Sequence, residues 1–108
     1  MGLFDFLKKN KIDINEVVAN LRNEPSAVLI DVREPMEYAA GHIPGSMNIP
    51  VGSLQMAESA FPDKTVPVYV HCQTGRRSKT AAAILKEAGF TLVTDLGGIN
   101  AYKGPLEY

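Results

Sequence analysis

One segment of the chain places a cysteine, a glycine and several basic residues at a spacing suited to sulfur chemistry. Cys72 ends a β-branched apolar run, and Gly75, Arg76 and Arg77 follow within five residues. A thiolate is a far better nucleophile than a thiol, and nearby cations or a helix N-terminus lower the pKa of a cysteine. A helix predicted to follow directly would add the positive end of its dipole. We therefore expect Cys72 to be an activated nucleophile beside an anion-binding loop.

The elements that must position this loop alternate between strands and helices. Apolar and β-branched runs predict strands at 27–32, 47–49, 66–71 and 91–96, and helical periodicity or helix-boundary residues predict helices beginning at Asp13, Pro35, Ser53 and Ser78. Ala81, Ile84, Leu85 and Ala88 are predicted to form the buried face of the last of these helices, and Gly89 to end it. This order predicts an α/β fold of three layers, with a mostly parallel central sheet covered on both faces. In such a sheet the loop after Cys72 lies at the carboxyl ends of the strands, where ligands bind.

Composition and charge exclude several other functions. The 108 residues are 45% hydrophobic and 21% charged, with a formal net charge of −1, which predicts one globular domain and argues against a nucleic-acid partner. The apolar runs are too short for a membrane span, and residues 1–11 are too short and too interrupted for a signal peptide. We expect an N-terminal extension at 1–11, a single domain at 12–108 and a cytoplasmic location, which the single cysteine also favours.

Three stretches of the sequence together resemble the single-domain rhodaneses, the thiosulfate sulfurtransferases. The segment 72–78 is similar to the active-site loop of that family. The stretch 31–50, which begins Asp-Val-Arg-Glu-Pro and continues through Gly-His-Ile-Pro-Gly, resembles its upstream motif. The stretch from Leu96 to Tyr102 resembles its C-terminal motif, with Tyr102 where the family more often has tryptophan. The three motifs occur in order over roughly residues 12–104, which makes the resemblance specific.

The resemblance implies a two-step reaction at Cys72. The thiolate would take the outer sulfur of thiosulfate, become a persulfide, and pass that sulfur to a thiophilic acceptor such as cyanide, a small thiol or a protein thiol. By similarity Arg77 would hold the sulfonate of the donor, with Arg76 as an additional cation at the mouth of the site. The residues expected to contact substrate are Gln73, Thr74, Gly75, Arg76, Arg77 and Ser78. No metal or organic cofactor is expected.

Three alternatives to small-molecule turnover stay open at this point. The chain could be a non-catalytic binding module of the same fold, although Cys72, Gly75 and Arg77 are then unexplained. It could relay a persulfide between two proteins. A phosphatase is less favoured: the phosphatases that this fold resembles place arginine six positions after cysteine, whereas here Arg77 comes at the fifth.

The remaining polar residues receive structural interpretations. His71 precedes Cys72 in a strand, so the two side chains point to opposite faces and His71 is expected in the core or in an interface. Asp31, Arg33 and Glu37 are interpreted as a polar network that fixes loops. His42 is expected to form a local hydrogen bond in its turn.

Overall fold

The computed structural model describes residues 12–108, and the predicted N-terminal extension at 1–11 lies outside the described residues. Four strands form one sheet: β1 (Val28–Asp31), β2 (Met47–Asn48), β3 (Pro67–Cys72) and β4 (Leu92–Gly98). Four α-helices accompany them: α1 (Ile14–Asn20), α2 (Pro35–Ala39), α3 (Met56–Ala60) and α4 (Arg76–Glu87). Single 3₁₀ turns lie at Leu21–Asn23, Val51–Ser53 and Ile99–Ala101.

The sheet is parallel in every pairing and has the strand order β2-β1-β3-β4. β1 and β3 are therefore the central strands, and their carboxyl ends place Asp31 beside His71. The pairing of β3 with β4 shifts between Val70 and Cys72, so that Cys72 lies opposite Gly98. This irregularity brings the end of β4 next to the loop that follows Cys72.

Two apolar clusters cover the two faces of the sheet, because successive strand residues alternate in direction. On one face, Val68 and Val70 pack with Ala81 and Leu85 of α4. The opposite face is covered by a second cluster that consists of Ile14, Leu29, Ile43, Leu96 and Ile99. The predicted three-layer α/β fold is confirmed.

Two details of the last helix differ from the sequence prediction. Helix α4 begins at Arg76 rather than Ser78, because Gly75 adopts a left-handed conformation (φ +104°) and turns the chain into the helix two residues earlier. The buried face consists of Ser78, Ala81, Ala82 and Leu85. Ile84 was predicted on that face but is 41% exposed, because α4 is oriented about its axis so that Ala82 is buried instead.

Candidate active site

The loop from Cys72 to Gly75 connects central strand β3 to helix α4. The Cys72 side chain is only 1% exposed, and it lies on the same sheet face as α4. The loop folds back over the sulfur, and the Gly75 N–H donates a hydrogen bond to Cys72 Sγ at 3.0 Å. Cys72 Sγ also lies 3.6 Å from Ser78 Oγ. A backbone N–H group and a hydroxyl of the loop and helix α4 thus contact the sulfur.

These contacts change the acidity of the thiol. Burial by itself acts to raise the pKa of Cys72. Hydrogen bonds from the Ser78 hydroxyl and from the backbone N–H groups of Ser78, Gly75 and Thr74 act in the opposite direction and together outweigh it. The pKa of the Cys72 thiol consequently lies below its usual value, which increases the thiolate fraction at neutral pH.

Ser78 connects the loop to the neighbouring strand end. Its side chain is fully buried, and its hydroxyl lies 3.2 Å from the carbonyl oxygen of Gly75 and 3.3 Å from that of Gly97. A hydroxyl has one proton to donate. With Cys72 as a thiol, that proton goes to these carbonyl oxygens and Ser78 Oγ accepts from Cys72 Sγ; with Cys72 as a thiolate, the sulfur competes for it. Ser78 thus contacts both loops that surround Cys72.

Glycines allow those two loops to approach closely. A Cβ atom added at Gly98 would overlap the Gln73 carbonyl oxygen and would lie 2.8 Å from Thr74 Cα. A Cβ atom added at Gly75 would lie 3.5 Å from the Cα atom of Gly97. The Gly97-Gly98 pair therefore contacts the Cys72 loop through its backbone.

Gln73 is held by residues from other parts of the chain. Its side-chain oxygen accepts a hydrogen bond from Arg33 Nη1 at 3.1 Å, and its carbonyl oxygen accepts one from the Asn100 N–H at 3.3 Å. Arg33 is itself fixed by Asp31, whose carboxylate lies 2.7 Å from Nη2, and both side chains are buried. The predicted polar network of Asp31 and Arg33 thus extends to the residue after the cysteine.

The basic residues of the loop lie in the first turn of α4, where the helix dipole disfavours positive charge. Arg76 and Lys79 are exposed, and neither forms an ion pair within residues 12–108. Thr74 is also exposed. This placement does not stabilise the helix.

Arg77 differs from Arg76 because it has an acidic partner. Its Nη1 and Nη2 donate hydrogen bonds to the two carboxylate oxygens of Glu37, at 2.6 and 2.9 Å. The pKa of Glu37 is lowered to about 2, and the hydrogen bonds from the Arg77 guanidinium are the largest influence on it. The sequence interpretation placed Glu37 in the network of Asp31 and Arg33 and did not connect it with Arg77. The only sequence signal for Glu37 is its capping-box spacing from Glu34, and no local pattern indicates the pairing because Glu37 and Arg77 are 40 positions apart in the chain.

His71 occupies the core, as its strand position predicted. The side chain is fully buried, its Nδ1 lies 3.1 Å from the Cys72 carbonyl oxygen, and its Nε2 lies 3.6 Å from Asp31 Oδ2. Burial is the largest influence on its pKa and lowers it, so the ring is favoured in the neutral form at pH 7. His71 supports the strand end and is on the opposite face from the sulfur.

The described part of the chain was also compared with the requirements of a metal site and of a membrane span. No group of three or more histidine, cysteine or acidic side chains that could hold an ion occurs within residues 12–108. Across the same residues, no helix has the length and apolar character needed to cross a membrane.

A family assignment follows from residues 14–105, which match the model of the Rhodanese-like domain. The chain belongs to the rhodanese-like domain family. The thiosulfate sulfurtransferase PspE of Escherichia coli is 42% identical over 71 residues, which cover 65% of this chain and 68% of that protein. A sulfurtransferase of Allochromatium vinosum is 34% identical over 94 residues, covering 86% of this chain and 87% of the relative.

A solved structure supports the same assignment. The structure of a rhodanese with anions from E. coli superposes on this chain with a TM-score of 0.71 at 38% sequence identity. The superposed part covers 75% of this chain and 96% of the E. coli chain. The resemblance identified from the three sequence motifs is confirmed. The rhodanese-like family to which this chain belongs includes sulfurtransferases, and the single cysteine of this chain lies in the loop described above.

Proposed function

We propose that this chain is a thiosulfate sulfurtransferase in which Cys72 carries the transferred sulfur. The observation that carries the proposal is the position of Cys72 Sγ, which lies under the loop with the Gly75 N–H at 3.0 Å. An N–H group aimed at the sulfur stabilises negative charge there without any rearrangement during the reaction. The relative from E. coli named as a thiosulfate sulfurtransferase supports thiosulfate as the donor.

The first half-reaction would transfer sulfur to the protein. The Cys72 thiolate attacks the outer sulfur of thiosulfate, a new S–S bond forms, and the bond between the outer and the central sulfur breaks. The electron pair of that bond leaves with sulfite. The total charge of −3 is unchanged, because the products are a persulfide anion and a sulfite dianion. The terminal sulfur of the persulfide would then carry the negative charge that the loop N–H groups face.

The second half-reaction would regenerate the thiolate. An acceptor such as cyanide attacks the terminal sulfur, thiocyanate leaves, and the electron pair of the S–S bond returns to Cys72. A small thiol or a protein thiolate would serve by the same displacement. Because the first product leaves before the acceptor reacts, the kinetics should be ping-pong. Gln73, Thr74, Gly75 and Ser78 form the sulfur-binding part of the proposed site, and Arg76 and Arg77 the part for the anionic donor.

Intact-mass spectrometry tests this proposal directly. The reduced protein is incubated with thiosulfate, desalted, measured, and measured again after cyanide is added, with Cys72→Ser as the matched control. We expect a gain of one sulfur atom that is absent in Cys72→Ser, and its loss to cyanide with release of thiocyanate. A protein whose Cys72 is shown to be reduced and which gains no sulfur is not a thiosulfate sulfurtransferase.

A further inference from the structure

The guanidinium expected to bind an anionic donor is already occupied by a carboxylate of the same chain. Glu37 accepts from both terminal nitrogens of Arg77, so the Nη1–Nη2 edge of the guanidinium, which would fit a sulfonate, is filled. Both side chains are about one-third exposed, at 34% for Arg77 and 33% for Glu37. The pair is therefore accessible from solvent, and an incoming anion has a route to the guanidinium.

Glu37 is fixed in this position by its own helix. It is the third residue of α2, and its Oε1 also accepts the Glu34 N–H at 2.9 Å in a capping box. The neighbouring Tyr38 is held as well, because its hydroxyl donates to the Ser46 carbonyl oxygen at 2.6 Å. A carboxylate held in place by the backbone competes for Arg77 more effectively than one on a mobile side chain.

The pair is linked to Cys72 through the charge of the Arg77 guanidinium. Arg77 is adjacent to Ser78, which contacts Cys72 Sγ, and the charge of Cys72 contributes to the electrostatic environment of the guanidinium. A cleft of about 290 Å³ is lined by Glu37 together with Gln73 and Arg33. Glu37 thus lines a cleft with the residue that follows Cys72, and it also binds Arg77, which itself lines a second cleft with Glu34 and Pro50.

We propose that Glu37 is a specificity-determining residue that competes with anionic sulfur donors for Arg77. A dianionic donor such as thiosulfate must displace the carboxylate or bind beside it, whereas a donor without an anionic head group meets no such competition. The inference rests on the proposed function only in treating Arg77 as the cation that the donor binds. It predicts that removal of the carboxylate charge tightens the binding of small dianions.

Protection of Cys72 from alkylation measures this competition without any turnover. Iodoacetamide is an uncharged electrophile that reports the reactivity of Cys72, and sulfate is a non-reacting dianion with the shape of the donor's sulfonate. In Glu37→Gln we expect the sulfate concentration that gives half-protection to fall about tenfold, because one charged competitor for a bidentate site is removed. Glutamine keeps a side-chain oxygen to accept the Glu34 N–H, so α2 should persist.

Two further variants separate this effect from a general change in charge. Glu87→Gln removes the same charge at the far end of α4, about 16 Å along the helix axis from Arg76, and should leave sulfate protection within about twofold of the parent protein. In an Arg77→Met background, Glu37→Gln should also change protection by less than about twofold, because the group through which it acts is gone.

The outcomes distinguish this inference from the proposed function. Sulfate protection that is unchanged in Glu37→Gln, that tightens equally without Arg77, or that is absent from both proteins overturns the role of Glu37. Failure of the parent protein to gain sulfur from thiosulfate overturns the proposed function and leaves the protection experiment readable. Where thiosulfate does load the protein, its KM should fall in Glu37→Gln while kcat changes little.

Discussion

Replacement of Ser78 by alanine tests whether the buried hydroxyl holds Cys72 in its reactive form. The side chain is fully buried and lies 3.6 Å from Cys72 Sγ. The hydroxyl is the largest of the influences that lower the pKa of Cys72, ahead of the loop N–H groups. We therefore expect Ser78→Ala to raise the pKa of Cys72 and to reduce the thiolate fraction at neutral pH.

The magnitude follows from the contacts of the hydroxyl. A hydrogen bond to a charged group contributes about 1.5–3 kcal/mol. The hydroxyl of Ser78 is shared with the carbonyl oxygens of Gly75 and Gly97, so the lower end of that range applies. About 1.4 kcal/mol corresponds to a tenfold change in an equilibrium, so the rate of alkylation below the titration midpoint should fall about tenfold. The midpoint itself should move to higher pH.

The fold should survive this substitution. Loss of one buried hydrogen bond costs about 1 kcal/mol. Alanine recovers about 0.5 kcal/mol of that through its higher helix propensity. Unfolding in urea, followed by circular dichroism, checks the small net loss.

The assay is the rate of Cys72 alkylation by iodoacetamide measured between pH 5 and 10. Thr80→Ala is the matched control, since Thr80 is an exposed residue of the same helix, and its profile should match the parent protein. A Ser78→Ala protein that is folded and has an unchanged midpoint, or a lower one, would refute the reasoning that the hydroxyl stabilises the thiolate.

Three other predictions concern the surroundings of the site. Gly98→Ala should destabilise the protein by about 2 kcal/mol or more and slow Cys72 alkylation, because the added Cβ overlaps the loop backbone; urea unfolding and alkylation measure the two effects. Leu85→Ala should cost about 2–5 kcal/mol in the free energy of unfolding, whereas Ile84→Ala, at a 41% exposed position, should cost far less; equal losses would contradict the orientation of α4. The folded-state pKa of Glu37, about 2, lies below its ordinary value of 4.5, so its contribution to stability is complete above pH 4.5 and is lost as pH falls toward 2. Acid titration followed by circular dichroism should therefore show a shallower loss of stability in that window for Glu37→Gln than for the parent protein.

Local sequence patterns predict much of the fold. The apolar run that became β1 and the β-branched run that became β3 identify buried parallel strands, because such strands are covered on both faces. Pro35 begins α2 at the position predicted from its fixed φ angle. The position of Cys72 at the end of a strand followed from that same pattern, and so did the position of its loop at the carboxyl ends of the strands.

Other features depend on residues that are distant in the sequence. Ile84 and Ala82 are both apolar, and only the packing of α4 against the sheet decided that Ala82 is buried while Ile84 is exposed. The register shift between β3 and β4 placed Gly98 against Gln73, a contact that no local pattern indicates.

The sequence by itself determined the family, the α/β architecture and the loop that contains Cys72, because those depend on periodicity and on short motifs within continuous segments. Only the tertiary structure decided which charges meet. Glu37 could have paired with Arg33, but Arg33 is engaged by Asp31, and the carboxylate instead reaches Arg77 across 40 residues of sequence. Ion pairs form over a few ångströms of space, and separation along the chain does not determine that distance until the strands and helices have packed.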